Sequence, residues 1–243
     1  MSLTSPTQVA ILAGGLGTRL RPITEKIPKP MVEVAGKPFL YWQLLDLKQQ
    51  GFTKVLLLVA YLGEQVREYF GDGTQFGLEI SYSFEPSPLG TGGALKHASA
   101  LLEERFLLLN GDSYLRAPLA KFDSFSEDFA AVISTYSDTE KVPVIPNLKV
   151  DVKSGRVLDY QKDAGPSLGF DRIDSGIYAM SRSLIDSHPK TEFALADLWP
   201  PLIKLGHLGA FMIDERFYDI GTPQRLQEFE EKVRDYFPDT VSN

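Results

Sequence analysis

Val9-Ala-Ile-Leu-Ala13 runs directly into Gly14-Gly-Leu-Gly-Thr-Arg-Leu20. The first five residues are uniformly apolar, the pattern of a strand buried on both faces. Glycines at 14, 15 and 17 then permit a tight turn and a close approach of backbone to a ligand. A loop of this kind turns its N–H groups toward phosphate. Two familiar phosphate loops are excluded. The Gly-x4-Gly-Lys-Ser/Thr spacing is absent. In the dinucleotide fingerprint Gly15-Leu-Gly17 would need a third glycine where Leu20 stands. Positive charge follows the loop: Arg19, Arg21, Lys26, Lys29 and Lys37 face only Glu25 and Glu33 over the same stretch. Pro28 and Pro30 stiffen the backbone on both sides of Lys29. A glycine loop beside a fixed lysine suits a polyphosphate.

Working outward, short apolar runs alternate with helical patterns. Strands are predicted at Val9–Ala13, Lys54–Ala60, Leu78–Phe84 and Phe106–Asn110. Helices are predicted at Phe39–Gln50, Glu64–Phe70 and Thr91–Glu104. This alternation marks an α/β fold, a parallel sheet with helices on both faces. The second half is richer in strands: Phe129–Tyr136, a hairpin over 148–160 turning at Gly155, Ile173–Met180, Gly209–Ile213 and Phe217–Ile220. A helix is predicted over Ala194–Leu205, kinked or broken by Pro200-Pro201, and a terminal one over Pro223–Tyr236. The reading is one domain over residues 1–243 with a β-rich insertion from about Val142 to Tyr178.

Composition narrows the function. The 243 residues carry 25 Lys+Arg against 32 Asp+Glu, a net charge of −7. An acidic chain argues against a nucleic-acid polymer or an anionic membrane as partner, because both select basic surfaces. There is no cysteine, which excludes disulfides, thiol catalysis and cysteine metal sites. The longest apolar run, Val55–Leu62, is far short of a membrane span, and the first eight residues carry no signal-peptide pattern. A cytoplasmic location is expected. No motif speaks to oligomeric state.

Leu12-Ala-Gly-Gly-Leu-Gly-Thr-Arg-Leu20, Pro28-Lys-Pro-Met31 and Gly36-Lys-Pro38 together resemble the signature of the sugar-1-phosphate nucleotidylyltransferases. The resemblance continues through Pro88-Leu-Gly-Thr-Gly-Gly-Ala94, Asn110-Gly-Asp112 and Tyr218-Asp-Ile-Gly-Thr222, covering nearly the whole chain in order. It implies a Rossmann-like, mostly parallel sheet flanked by helices, with a β-rich sugar-binding insertion. It also implies Mg²⁺-dependent transfer of a nucleotidyl group from a nucleoside triphosphate to a sugar 1-phosphate. Within the family, the runs at 36–39, 88–94 and 110–112 are most similar to guanylyltransferases acting on a heptose 1-phosphate.

Site residues follow from the resemblance and the chemistry together. Leu12, Ala13, Gly14, Gly15, Gly17, Thr18 and Arg19 are expected to bind the nucleotide, with the leaving phosphates held by Arg19 and the Gly14–Gly17 amides, and with Arg19, Lys29 and Asp112 catalytic. Asp112, at the carboxyl end of a strand, and Asp219 supply hard oxygens for Mg²⁺. The segment carrying Glu85, Gly90, Thr91 and Gly93 is expected to line the base. A carboxylate at 85 can accept from the N1–H and 2-amino group of guanine, a donor pair that uracil and thymine lack, so GTP is favoured over UTP and dTTP. Asn147, Lys162, Ser175 and Gly176 are expected around the sugar phosphate, with Gln161 standing where a Glu is usual in the family. His97, His188 and His207 show no ligand spacing. The competing classes are an inactive sugar-nucleotide-binding regulator and a nicotinamide oxidoreductase. Joint retention of Arg19, Lys29, Asp112 and Asp219 disfavours the first, and the missing third glycine disfavours the second.

Overall fold

The computed structural model describes residues 8–124, 129–137, 142, 144–162 and 164–241. The targeting-signal reading of the N-terminus rests mainly on residues outside this set. The first half of the chain gives β1 (Gln8–Leu12), a two-residue hairpin of β2 (Glu33–Val34) and β3 (Lys37–Pro38), α1 (Phe39–Gln49), β4 (Lys54–Val59), α2 (Gly63–Phe70), β5 (Glu79–Phe84), α3 (Gly90–His97), β6 (Arg105–Asn110) and β7 (Ser113–Tyr114). The second half gives α4 (Ala120–Ser124), β8 (Ala131–Tyr136), β9 (Leu148–Asp151), β10 (Arg156–Tyr160), β11 (Ile173–Ser181), α5 (Arg182–Asp186), α6 (Trp199–Leu205), β12 (Leu208–Ile213), β13 (Tyr218–Asp219) and α7 (Pro223–Tyr236).

Nine strands form one sheet in the order β5-β4-β1-β6-β11-β8-β12-β10-β9. β5, β4, β1 and β6 are mutually parallel, as the apolar runs require. β11 then enters antiparallel between β6 and β8, and β12 lies parallel to β8. The β9–β10 hairpin extends the far edge of this same sheet. Seven strands thus run one way, with β10 and β11 opposed. Helices cover both faces. Leu40, Leu44 and Leu47 of α1, Val66 and Phe70 of α2 and Phe122 of α4 pack on one face. Leu95 of α3, Ile185 of α5 and Trp199 and Leu202 of α6 pack on the other. Among the described residues no helix is long and apolar enough to cross a membrane.

A third apolar cluster sets up the site. Phe229 and Val233 of α7 bury themselves against Phe39 and Trp42 of α1, Leu20, Tyr114 and Ile220. The Phe229 ring stands 5.1 Å from Phe39 and 5.0 Å from Tyr114. This draws the end of the glycine loop, the segment after β6 and the segment around Asp219 into one place, although they are far apart in sequence.

Two helix expectations are corrected. The helix expected over Thr91–Glu104 ends at His97, and Ser99–Leu101 forms a separate 3₁₀ turn. The Leu101 carbonyl is taken by Gln8 Nε2 at 2.9 Å instead of by a continuing helix. Pro200 and Pro201 do not kink α6. The helix starts at Trp199 after a 3₁₀ turn over Leu195–Leu198, so both prolines fall in its first turn, where no N–H is needed. The strand expected over Phe217–Ile220 is only Tyr218–Asp219, paired with β7 outside the main sheet.

Candidate active site

The parallel strands β1, β4, β5 and β6 end on the same side of the sheet, and a cavity of about 730 Å³ opens there. This is where open α/β sheets bind ligands, and the volume suits a nucleotide-sized molecule. Each strand contributes the residues that follow it. Leu12 ends β1 and Gly14, Gly15 and Leu16 follow it, and Ala60 and Tyr61 follow β4. Glu85, Pro86, Ser87 and Pro88 come after β5, and Gly111 and Asp112 after Asn110, which ends β6. Gly90, Thr91 and Ala94 of α3 and Lys29 and Pro30 complete the wall.

The glycine loop is seated from below. Ala13 is buried, and its N–H donates to Leu58 O at 2.8 Å. Gly17 takes φ +60°, and a Cβ there would stand 2.8 Å from Thr24 Cγ2 and 3.1 Å from Lys29 Cβ. Only glycine lets the loop lie this close to the lysine segment. The N–H groups of Gly14, Gly15, Leu16 and Gly17 donate to no protein acceptor among the described residues. They are unspent donors beside the cavity.

Lys29 is 7% exposed, and its Nζ lies 2.6 Å from Asp112 Oδ2. A buried ammonium needs such an anion. Ser113 Oγ donates to Asp112 Oδ1 at 3.2 Å. Asp219 comes alongside because β13 pairs with β7, placing it opposite Ser113, while Ile220 N–H donates to Asp112 O at 3.0 Å. The Asp219 carboxylate is held by Arg225 Nη1 at 3.1 and 2.9 Å and by Gly221 N–H at 2.7 Å. Arg19 and Thr18 are exposed, outside the cavity wall. Arg19 Nη2 lies 3.1 Å from where a Cβ on Gly221 would stand, beside this same segment.

Glu85 is half-buried in the wall. Its Oε2 accepts from Leu89 N–H at 3.1 Å, while Oε1 faces Gly14. Burial pushes its carboxyl above the usual range, against the lowering effect of the Leu89 bond and of His97. Thr91 Oγ1 accepts from Leu195 N–H at 2.8 Å, which leaves its O–H to donate. Gly93 lies behind the wall. A Cβ on it would stand 2.6 Å from Thr191 O and 2.9 Å from Leu89 Cβ, so this glycine serves the packing of α3 on the 191–194 segment.

The residues expected around the sugar phosphate are dispersed. Asn147 Oδ1 accepts from Asp174 N–H at 2.9 Å, and Asp174 Oδ1 accepts from Gly176 N–H at 2.9 Å. Gly176 abuts the side chain of Asn110, a wall residue, but Asn147, Asp174 and Gly176 are not themselves in the cavity wall. Burial pushes the Asp174 carboxyl up to about 6, against its bonds from Gly176 N–H and Tyr178 O–H. Ser175 is different. It is 2% exposed, and its hydroxyl donates to Ser134 Oγ at 2.6 Å, which gives it a core role and no surface toward a sugar phosphate. Lys162 is exposed just beyond β10 and outside the cavity wall.

Some wall residues were given no site role of their own from sequence. Asn110, quoted only within the Asn110-Gly-Asp112 motif, ends β6, and Tyr61 follows β4; both reach the wall only once the strands are aligned. Arg225 had a local signal. A cation in the first turn of a helix opposes the macrodipole, which calls for a carboxylate partner, here Asp219.

The nucleotidyl transferase family model matches residues 8–236. The chain belongs to the nucleotidyl transferase family. This nucleotidyl transferase is 32% identical over 223 residues to D-glycero-alpha-D-manno-heptose 1-phosphate guanylyltransferase of Campylobacter jejuni, covering 91% of this chain and 98% of that one. It is 30% identical over 237 residues to the enzyme of the same name from Aneurinibacillus thermoaerophilus, covering 94% and 99%. The crystal structure of HddC from Yersinia pseudotuberculosis complexed with GMP-PN superimposes with a TM-score of 0.78 at 33% identity, covering 93% of this chain and 98% of that chain.

Proposed function

We propose that this nucleotidyl transferase moves a guanylyl group from GTP to a sugar 1-phosphate, heptose 1-phosphate in the first place, giving GDP-sugar and pyrophosphate. The observation that carries the choice of base is the Glu85 carboxylate in the cavity wall, with one oxygen anchored on Leu89 and the other turned to Gly14. A half-buried carboxylate gains from two adjacent donors, and guanine offers them. The guanylyltransferase names of its relatives support the same reading.

The sugar phosphate oxygen attacks the α-phosphorus, the bond from that phosphorus to the β-phosphate oxygen breaks, and pyrophosphate leaves with the charge. The nucleophile is already an anion, so no side chain need remove a proton. Catalysis then rests on positioning and on positive charge aimed at the transferring group. Lys29 would exchange Asp112 for the phosphates as its anionic partner. The unspent N–H groups of Gly14–Gly17 and the Arg19 guanidinium would hold the leaving pyrophosphate.

The carboxylates fit a magnesium ion in kind. Asp112 and Asp219 are hard oxygen donors on paired segments, and each already holds a cation of the protein, Lys29 and Arg225 respectively. Mg²⁺ commonly takes one or two protein carboxylates plus substrate phosphates, and Asp112 and Asp219 could supply the carboxylates. Mg²⁺ held by Asp112, and by Asp219 once Arg225 releases it, would neutralise phosphate charge against the incoming anion.

Pyrophosphate release tests the proposal. It is measured with four ribonucleoside triphosphates and dTTP, each crossed with heptose, mannose, glucose and N-acetylhexosamine 1-phosphates, with and without Mg²⁺. Metal-dependent release with GTP and heptose 1-phosphate is expected. Preference for UTP or dTTP would overturn the base assignment, and nucleotide binding without release would favour a regulator.

A further inference from the structure

One buried polar side chain beside this site lies outside the cavity wall. Gln43 lies on α1 between Trp42 and Leu44 and is 3% exposed. Its Nε2 donates to Asn110 O at 2.9 Å and to Ser113 O at 2.8 Å. These two carbonyls stand at either end of Gly111–Asp112, so a single amide nitrogen clips both ends of the turn that carries Asp112. Between them, the Asp112 carbonyl is fixed by Ile220 N–H at 3.0 Å. The backbone of Asp112 is therefore held before, at and after the residue. Little freedom remains except side-chain rotation, and the carboxylate meets Lys29 Nζ at 2.6 Å.

We infer that Gln43 is the positioning residue of Asp112, a reading that rests on the proposed nucleotidyl transfer. Packing alone does not explain it. Phe39, Leu40, Leu47 and the buried Asp46 stand one turn away on this helix face, yet Gln43 spends both its N–H donations on the Asp112 turn, and an apolar side chain at 43 would fill the space without burying an amide. Gln43 Oε1 is itself buried with no hydrogen-bond partner among the described residues. The amide is thus kept at a cost that only its two N–H donations offset. Gln50, just past the end of α1 and donating its Nε2 to Asp46 Oδ2 at 2.9 Å, makes a useful contrast. Its Oε1 accepts from Leu119 N–H at 2.9 Å, well past the Asp112 turn. It anchors the same segment but does not aim the carboxylate.

The experiment compares Gln43→Met, Gln43→His, Gln50→Met, Asp112→Asn and the Gln43→Met/Asp112→Asn pair. It reads steady-state kinetics, thermal melting and backbone amide exchange of the peptide spanning 107–116. Gln43→Met removes both donations at similar volume. It is expected to lower kcat about tenfold to a hundredfold, with KM for GTP within about twofold of the parent and faster exchange confined to that peptide. Gln43→His, whose ring Nε2 can still serve one carbonyl, is expected to lose less. Gln50→Met is expected to lower the melting temperature and leave kcat unchanged. In the Asp112→Asn background, Gln43→Met is expected to add nothing, because the group it aims is gone. Parental kcat in Gln43→Met, or an equal further loss in the Asp112→Asn background, would overturn the inference. If the Met variant does not fold, parental kcat in the His variant overturns it. A parent protein that releases no pyrophosphate with any pair defeats the functional reading alone, and amide exchange at 107–116 still decides whether Gln43 holds the turn.

Discussion

Glu85 keeps its two oxygens in different company, one on a backbone N–H and one toward the cavity. Glu85→Gln can preserve the bond from Leu89 with its carbonyl oxygen, but it then presents an NH₂ group where an acceptor stood. The ratio of kcat/KM for GTP to that for UTP should fall by about tenfold or more, because guanine N1–H would meet a donor. An unchanged ratio would show that Glu85 does not read the base. A carboxylate between a strand and a Pro-Gly segment can be picked out from sequence because its neighbours in the chain are also its neighbours in space. Lys29 was legible for a similar reason, fixed between two prolines beside a glycine loop. Thr91, Ser175 and Asp219 were named from sequence, but the partners that fix them, Leu195, Ser134 and Arg225, were not, since they are set by tertiary packing that no local pattern records.

At the level of elements, the parallel strands were readable from continuous apolar runs, and the α3 terminus was not. Helical periodicity runs on past His97, but side chains from distant segments claim the carbonyls there. The start of α3 is likewise made by its neighbour. Gly92 and Gly93 N–H both donate to Phe193 O, and Phe193 N–H donates to Leu89 O at 3.0 Å. The 191–194 segment thus holds the helix end that carries Gly90 and Thr91 in the cavity wall. In Gly93→Ala the new methyl would meet backbone at Thr191, which cannot yield as a flexible side chain does. A melting temperature lower by roughly 3–10 °C is expected, together with a raised KM for GTP as the wall shifts. A variant with parental stability and KM would assign no such role to this contact.

Across the whole molecule, charge is distributed so that a buried carboxylate weighs on stability. Asp46 is 7% exposed, and burial pushes its pKa up to about 6, against the lowering effects of Gln50 and Arg116. The folded protein therefore binds that proton more tightly than the unfolded chain does. Stability from this group is present at about pH 4 and is lost as the pH rises to about 6. Asp46→Asn removes the titration and keeps an acceptor for Gln50. It should stabilise the protein by on the order of 1–3 kcal/mol at pH 7–8 and by little at pH 4, as measured by urea unfolding at both values. An equal effect at both pH values would contradict it.

The placement of β11 has a consequence for how the chain is made. On the ribosome β1, β4, β5 and β6 emerge in succession and can pair with one another, yet β6 keeps one bare edge until Ile173–Ser181 follows. β8 waits for the same strand on its own side. Every nascent chain thus passes through a stage with two open strand edges facing a gap, the condition under which strands pair with the wrong molecule. Release of the polypeptide before residue 173 would leave that gap permanent, so a fragment carrying the complete glycine loop, Lys29 and Asp112 would still lack the strand that unites its sheet.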